Sequence, residues 1–278
     1  MCESCGCGLT LGEDFVPHTS PLLHHGGHRE HISVLTQLRA QNDATARHNR
    51  AHLDEHGVLA INLMSSPGAG KTTLLEQTIE RLGARFRIAV IEGDLATDND
   101  ARRIRATGVQ AIQITTGNAC HLDASMLHRA LHEISLPELD LLFIENVGNL
   151  VCPASFDLGQ HRNVVLLSVP EGDDKPEKYP VMFRAAELLL ITKTDLLEHI
   201  PEFDPRRARH SLRSIAIDPP VIELSCRRGT GLDTWCEWLE KEKHASDARR
   251  AVHAGSGVAH EGSRSEPTNV DVRENALR

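Results

Sequence analysis

Residues 58–73 read VLAINLMSSPGAGKTT, an apolar run that breaks into a glycine-containing loop and then, from Lys71, into the helical pattern KTTLLEQTIERL. A strand that ends on such a loop and opens a helix forms a phosphate cradle, because loop amides and the helix N-terminus attract anionic oxygens. Ser66, Pro67, Gly68, Ala69, Gly70, Lys71, Thr72 and Thr73 are therefore the expected phosphate-binding residues. Gly68 and Gly70 permit close backbone approach, Lys71 reaches the β/γ-phosphates, and Thr72 offers its hydroxyl to Mg2+. Ser65 stands where such loops usually carry their first glycine. Gly-Lys-Thr alone is a common tripeptide, so the strand–loop–helix setting is what separates this loop from an ordinary glycine-rich turn.

Outward from the loop, six more apolar runs alternate with helical stretches: FRIAVIEGD, VQAIQITTG, LDLLFIENVG, NVVLLSVPEG, ELLLITKTD and PVIELS. Several are almost continuously apolar, as strands covered on both faces must be. The expectation is an α/β three-layer sandwich around a mostly parallel seven-stranded sheet, a P-loop NTPase G domain over residues 57–242. Residues 1–56 read as a flexible metal-binding arm with one loose helix, and 243–278, polar and Gly/Ser-rich, as a disordered tail. With 39 acidic against 30 basic side chains the net charge is −9, and no basic stripe offsets it, which argues against a nucleic-acid partner. No apolar run is long enough to span a membrane and no signal-peptide pattern opens the chain, so a cytoplasmic location is expected.

The base-recognition motif lies at a later strand end. In LLLITKTD, Asp195 can accept both the N1–H and the 2-amino group of guanine, while Lys193 lies along the purine face. Thr192 stands where Asn is usual, which alters one supporting hydrogen bond. Ser225 and Cys226 follow the next strand, where main-chain amides of such a loop back the base. Two further strand ends carry acids: Asp94 in VIEGD, and Glu145 three residues before Gly148 in ENVG. Together with Lys71 and Thr72 they make the expected catalytic set, with Thr72, Asp94 and Glu145 on Mg2+ and the Gly148 amide sensing the γ-phosphate. Each acid alone could equally be a solvated loop carboxylate.

Seven cysteines without an export signal read as thiols or thiolate ligands. Cys120 and His121 follow the third strand, and Cys152 lies four residues beyond Gly148, so all three sit on the rim shared by the strand C-termini. Thiolate and imidazole suit Ni2+ or Zn2+. The opening MCESCGCG is a second metal site: Cys2, Cys5 and Cys7 with the terminal amine form a close-spaced chelate of the flat geometry that nickel prefers. A zinc half-site or a C-x-x-C redox pair are the alternatives for this claw. The histidines of HHGGHREH read as a low-affinity metal reservoir or as solvated linker.

MCESCGCG, SSPGAGKTTLLE, IEGDLATDNDA, TGNACHLDA, FIENVGNLVCPA and EGDDKPEKYP together resemble the HypB family of hydrogenase nickel-incorporation GTPases, over most of residues 1–240. The resemblance implies a slow, Mg2+-dependent GTPase of the nucleotide-dependent dimerising, SIMIBI-like class, converting GTP to GDP and phosphate. It implies delivery of Ni2+ to the [NiFe]-hydrogenase large subunit, together with a second accessory protein and a nickel chaperone. By the same resemblance the claw is the tight nickel site, the Cys120, His121, Cys152 trio is a weaker nickel-or-zinc site, and Leu196 and Ile200 lie where such proteins pair as homodimers. Two other functions stay open at this point: a nickel store with a passive G domain, and the related urease-type nickel GTPase, against which the claw argues.

Overall fold

A computed structural model describes residues 27–94, 98–117 and 119–257, with side chains from 36 to 252 within them. The claw cysteines Cys2, Cys5 and Cys7, the side chains of HHGGHREH and residues 258–278 lie outside the described residues. In chain order the elements are α1 (Gly27–His56), β1 (Leu59–Met64), α2 (Lys71–Leu82), β2 (Ile88–Asp94), α3 (Asn99–Arg105), β3 (Gln110–Thr115), α4 (Ala124–Leu131), β4 (Leu141–Glu145), β5 (Arg162–Ser168), α5 (Lys175–Lys178), α6 (Pro180–Arg184), β6 (Leu188–Thr192), α7 (Pro205–Ile215), β7 (Val221–Glu223) and α8 (Leu232–Gly257). All seven expected runs are strands. They form one sheet of order β3-β2-β4-β1-β5-β6-β7 in which every strand pairing is parallel.

The period-two alternation of each strand decides which helices it holds. Leu59, Ile61 and Leu63 of β1 pack with Leu74, Leu75, Ile104 and the fully buried Trp235, so α2, α3 and α8 cover one face. Ala60 packs with Leu53, Leu127 and Leu131 from α1 and α4, and Met64 with Met182, Phe183 and Leu212 from α6 and α7, on the other face. The crossover from β4 to β5 passes over β1. It thereby opens the crevice at the strand C-termini where ligands of such sheets bind. No helix among the described residues is long and apolar enough to cross a membrane.

Two boundaries differ from the sequence expectation. The chain divides at residues 38 and 39, inside α1, rather than at 56. Asn42, Ala46, Asn49 and Leu53, a stripe at helical spacing, are buried within the larger unit. The stripe escapes an apolar count because half of it is asparagine. Asn42 donates to Asp157 O (2.8 Å) and accepts from Ala124 N (3.0 Å), and Asn49 donates to Ala124 O (2.9 Å) and Leu158 O (3.0 Å). At the other end α8 runs on to Gly257, past the expected limit at 242. Ala245, Ala248, Ala251 and Ala254 favour helix there, and no Gly or Pro interrupts before Gly255.

Gly159 seats α1. It adopts φ +94°, and a Cβ there would lie 2.5 Å from Ala46 O and 2.7 Å from Asn49 Cβ. Gly159→Ala should therefore cost about 2 kcal/mol or more in urea unfolding and raise amide exchange across residues 42–56. Unchanged stability would show that α1 is not held at this point.

Candidate functional site

The phosphate loop is held from three sides. Lys71 Nζ donates to Ser65 Oγ (3.0 Å), so the serine in the place of the first glycine positions the lysine. Ser66 Oγ bonds the carboxylate of Glu171, whose other oxygen accepts from Ser168 N and Oγ at 3.0 and 2.6 Å. Thr192 Oγ1 donates to Ala69 O (2.8 Å) and Lys193 Nζ to Gly68 O (2.6 Å). The threonine that replaces asparagine thus still braces the loop. Lys193 adopts φ 57°, and its side chain reaches the loop from the end of β6.

A cleft of about 510 Å³ opens beside this loop, lined by Gly68, Gly70, Lys71 and Thr72 and by Asp94, Glu145 and Gly148 from the expected set. Thr72 Oγ1 donates to Glu145 Oε1 (2.8 Å). Glu92, on the same strand as Asp94, also faces the cleft and is buried, although the sequence reading assigned it no role. Burial, then the neighbouring carboxylates Glu145 and Asp94, push the Glu92 carboxyl up to about 8. Burial raises Glu145 to about 7, against the pull of Lys71 and the Thr72 hydrogen bond. Burial likewise lowers Lys71. Glu92 Oε2 and Glu145 Oε2 are buried acceptors without a hydrogen-bond partner. Two orphaned carboxylate oxygens beside a threonine hydroxyl fit a hard divalent cation that takes oxygen ligands.

The loop after β4 ties this cleft to the thiols. A Cβ on Gly148 would lie 2.8 Å from Pro67 Cα and 2.9 Å from Pro67 N. One residue on, Asn149 N donates to Ser65 O (2.8 Å). Asn146, fully within the core, accepts through Oδ1 from Leu122 N (3.2 Å) and Val147 N (3.0 Å), joining this loop to the one that follows β3. Cys120, His121 and Cys152 come together there, with their ligand atoms all within 4.8 Å of one another. Cys120 and Cys152 are free thiols whose sulfurs lie 2.7 Å apart, well beyond the roughly 2.05 Å of a disulfide. The hydrogen bond to Cys120, then burial, raises the Cys152 thiol, so deprotonation there calls for a cation. Burial lowers His121, whose ring stacks on Phe156 at 3.9 Å, and so favours the neutral form that can act as a ligand.

Beyond β6 and β7, Ser225 Oγ donates to Asp195 Oδ1 (2.6 Å) and holds this carboxyl below its usual range. Ser225 was expected to act through its amide. That amide instead donates to Thr230 O (2.9 Å) within an isolated antiparallel bridge, and the hydroxyl carries the contact to Asp195. Cys226 packs against the core and burial raises its thiol to about 11, leaving it unreactive. Asn146 and Glu171 were missed as well. A polar residue inside an otherwise apolar strand end is the one signal that could have found Glu92 and Asn146.

A model of the CobW/HypB/UreG nucleotide-binding domain matches residues 59–222, from β1 to β7. The hydrogenase maturation factor HypB of Azotobacter vinelandii is 50% identical over 234 residues, covering 80% of this chain and 77% of that protein. Its counterpart in Escherichia coli (strain K12) is 41% identical over 291 residues, covering 88% of this chain and 100% of that protein. The chain belongs to the HypB family. The crystal structure of HypB from Helicobacter pylori in complex with nickel superposes with a TM-score of 0.70 at 42% identity, over 74% of this chain and 96% of that one. The HypB-family G domain thus has the P-loop NTPase fold expected from the loop at Ser65–Thr73.

Raised carboxyls make the stability of this HypB-family chain depend on pH. Glu92 keeps its proton in the folded chain from its ordinary value of 4.5 up to about 8. Folding therefore takes up a proton across this window and stability falls as pH rises through it. Lowered histidines such as His121 and His161 act in the opposite sense below their ordinary 6.5. A comparison with Glu92→Gln isolates the carboxyl. Between about pH 6 and about pH 8 the nucleotide-free variant should gain about 2 kcal/mol on the parent in urea unfolding. Parallel curves would mean that Glu92 is ionised throughout.

Proposed function

We propose that this chain is a GTPase that couples hydrolysis of GTP to GDP and phosphate with the hand-over of nickel to the large subunit of a [NiFe]-hydrogenase. The observation that carries the reading is the single short loop from Glu145 to Cys152, which lies against Pro67 of the phosphate loop at Gly148 and ends on a thiol of the soft-ligand trio. Lys71, the loop amides and the N-terminus of α2 stabilise charge on the transferred phosphoryl as a water attacks. Thr72, Asp94 and Glu145 would hold Mg2+, which when bound neutralises charge at the β- and γ-phosphates. Asp195, oriented by Ser225, selects guanine.

Nickel is the cargo. Cys120, His121 and Cys152 take it as two thiolates and an imidazole, with zinc as the competing ion. Cys2, Cys5 and Cys7 form the tighter nickel site. A second accessory protein and a nickel chaperone complete the delivery, which proceeds in the cytoplasm. Leu196 and Ile200, half-buried against the α6 and α7 side of the core, form part of a nucleotide-dependent homodimer contact.

The test is a nickel titration of full-length protein with the claw cysteines replaced by serine, first with GDP and then with a non-hydrolysable GTP analogue, following thiolate charge-transfer absorption. Affinity at the trio should change by at least about fivefold between the two states, and Cys152→Ser should abolish the signal. Equal affinities would leave a nickel store with a passive G domain, as would hydrogenase maturation that survives Lys71→Ala at low nickel.

Base choice has its own test. Asp195→Asn replaces a double acceptor by one donor and one acceptor, so GTP should lose at least about tenfold in affinity while xanthosine triphosphate gains. Retained GTP preference would remove Asp195 from base recognition.

A further inference from the structure

Away from the nucleotide cleft, α1 and α4 meet across a seam of imidazoles. His48, His52 and His56 recur every four residues along one face of α1, while His128 and His132 repeat the spacing from α4 into its C-cap. Ring centroids stand 5.2 Å apart for His48 and His128, 6.4 Å for His52 and His132, and 4.7 Å for His128 and His132. Neither the phosphate loop nor the thiol trio uses any of them.

The tautomer of the central ring can be deduced. Asn49 is fully buried, and its Nδ2 donates to Ala124 O and Leu158 O, so the orientation of its amide is fixed. Its Oδ1 lies 2.9 Å from His128 Nδ1 and can only accept, which puts the His128 proton on Nδ1. His128 Nε2 therefore carries a lone pair. That lone pair meets His132 Nε2 at 3.2 Å. Two nitrogens each bound at 2.0–2.1 Å to one ion, at right-angled or tetrahedral positions, stand about 2.9–3.4 Å apart. The pair is thus already spaced as two ligands of one metal. An imidazole that coordinates through Nε2 while giving its Nδ1 proton to a fixed acceptor is the usual outer-shell arrangement at metal sites. On the facing helix His52 Nδ1 is buried and has no hydrogen-bond partner, an atom that ligation would satisfy. His48 and His132 are exposed, so the seam is open to ions from solvent.

We propose that His128 and His132 are the preformed pair of an all-nitrogen site for a divalent first-row transition ion, separate from the thiolate trio and completed when His48 and His52 turn in from the facing helix. Imidazole donors suit Zn2+, Ni2+, Co2+ and Cu2+. Ligands from both helices would clamp the packed half of α1 onto the G domain. The proposal does not depend on nickel delivery, since it needs neither nucleotide nor thiol.

Co2+ added alone is the probe, on full-length protein in which Cys2, Cys5, Cys7, Cys120 and Cys152 are serine. Equilibrium dialysis should count an ion that binds without thiolate charge-transfer absorption, and hydrogen–deuterium exchange should slow across residues 42–56. The substitutions His128→Asn and His132→Asn together should weaken this ion by at least about tenfold and remove the slowing. His48→Asn with His52→Asn should do the same from the other helix. The exposed His132→Gln alone decides the matter if a double variant fails to fold. Replacing His24, His25, His28 and His31 by Asn should leave the slowing in α1 intact. An unchanged ion count and unchanged exchange in the α4 variants, or loss of the slowing only with the N-terminal histidines, would overturn the site.

Discussion

The close approach of Gly148 to Pro67 is the constraint on which the rest of the site depends. With a Cβ at 2.8 Å from Pro67 Cα the two loops could not both stay where they are. Because the contact is backbone on backbone, no rotamer change can absorb a displacement of either partner. Asn149 N on Ser65 O adds a second tie one residue later, and Asn146 carries the constraint sideways to Leu122, next to His121. Six residues separate Glu145 from Cys152, and this stretch is anchored both to the phosphate loop and to the loop bearing Cys120. The proposed coupling between nucleotide and nickel would therefore need no long path through the fold. It needs only that one loop of this length has two positions.

The segment after β6 is tied to the phosphate loop in the same way. Thr192 and Lys193 bond consecutive carbonyls of the phosphate loop, and Ser225 orients Asp195, so the motif proposed to read a base also braces that loop. Thr192 illustrates why a departure from the usual motif letter need not be a departure in chemistry. What the position requires is a donor that reaches Ala69 O from the end of β6, and a hydroxyl supplies one as well as an amide does.

The sheet was legible in the sequence because buried parallel strands leave an unmistakable signal: runs such as LDLLFIE and ELLLIT admit few other settings, and the phosphate loop fixes which of them is central. That Lys71, Thr72, Asp94, Glu145 and Gly148 line one cleft was legible because strand C-termini share one rim, so residues distant in sequence can be placed together by counting strand ends. The same reasoning brought Cys120, His121 and Cys152 together before any coordinates did. Glu92 was not legible, since an acid in the middle of an apolar strand looks like an edge residue until its neighbours are known. The α1 stripe failed for a related reason. Asn42 and Asn49 bury themselves by satisfying backbone groups of loops more than 70 residues away, a form of packing that hydrophobic periodicity does not register. In α8 composition misled in the other direction: small and charged residues were read as disorder where alanine spacing sustains a helix.

The electrostatics of the cleft point the same way as its shape. Burial leaves Glu92 and Glu145 reluctant to ionise and Lys71 reluctant to hold its proton, so groups of both signs are pushed towards neutrality within one cavity. A buried ion pair alone could relieve this only in part, because each charge would still lack its remaining hydrogen-bond partners. A ligand that brings a cation for the carboxylates and an anion for the lysine restores all three at once, whereas either alone restores one side and leaves the other unpaired. This depth of burial, rather than any single contact, supports the metal–nucleotide reading proposed above, since such a pair would satisfy both signs of charge together.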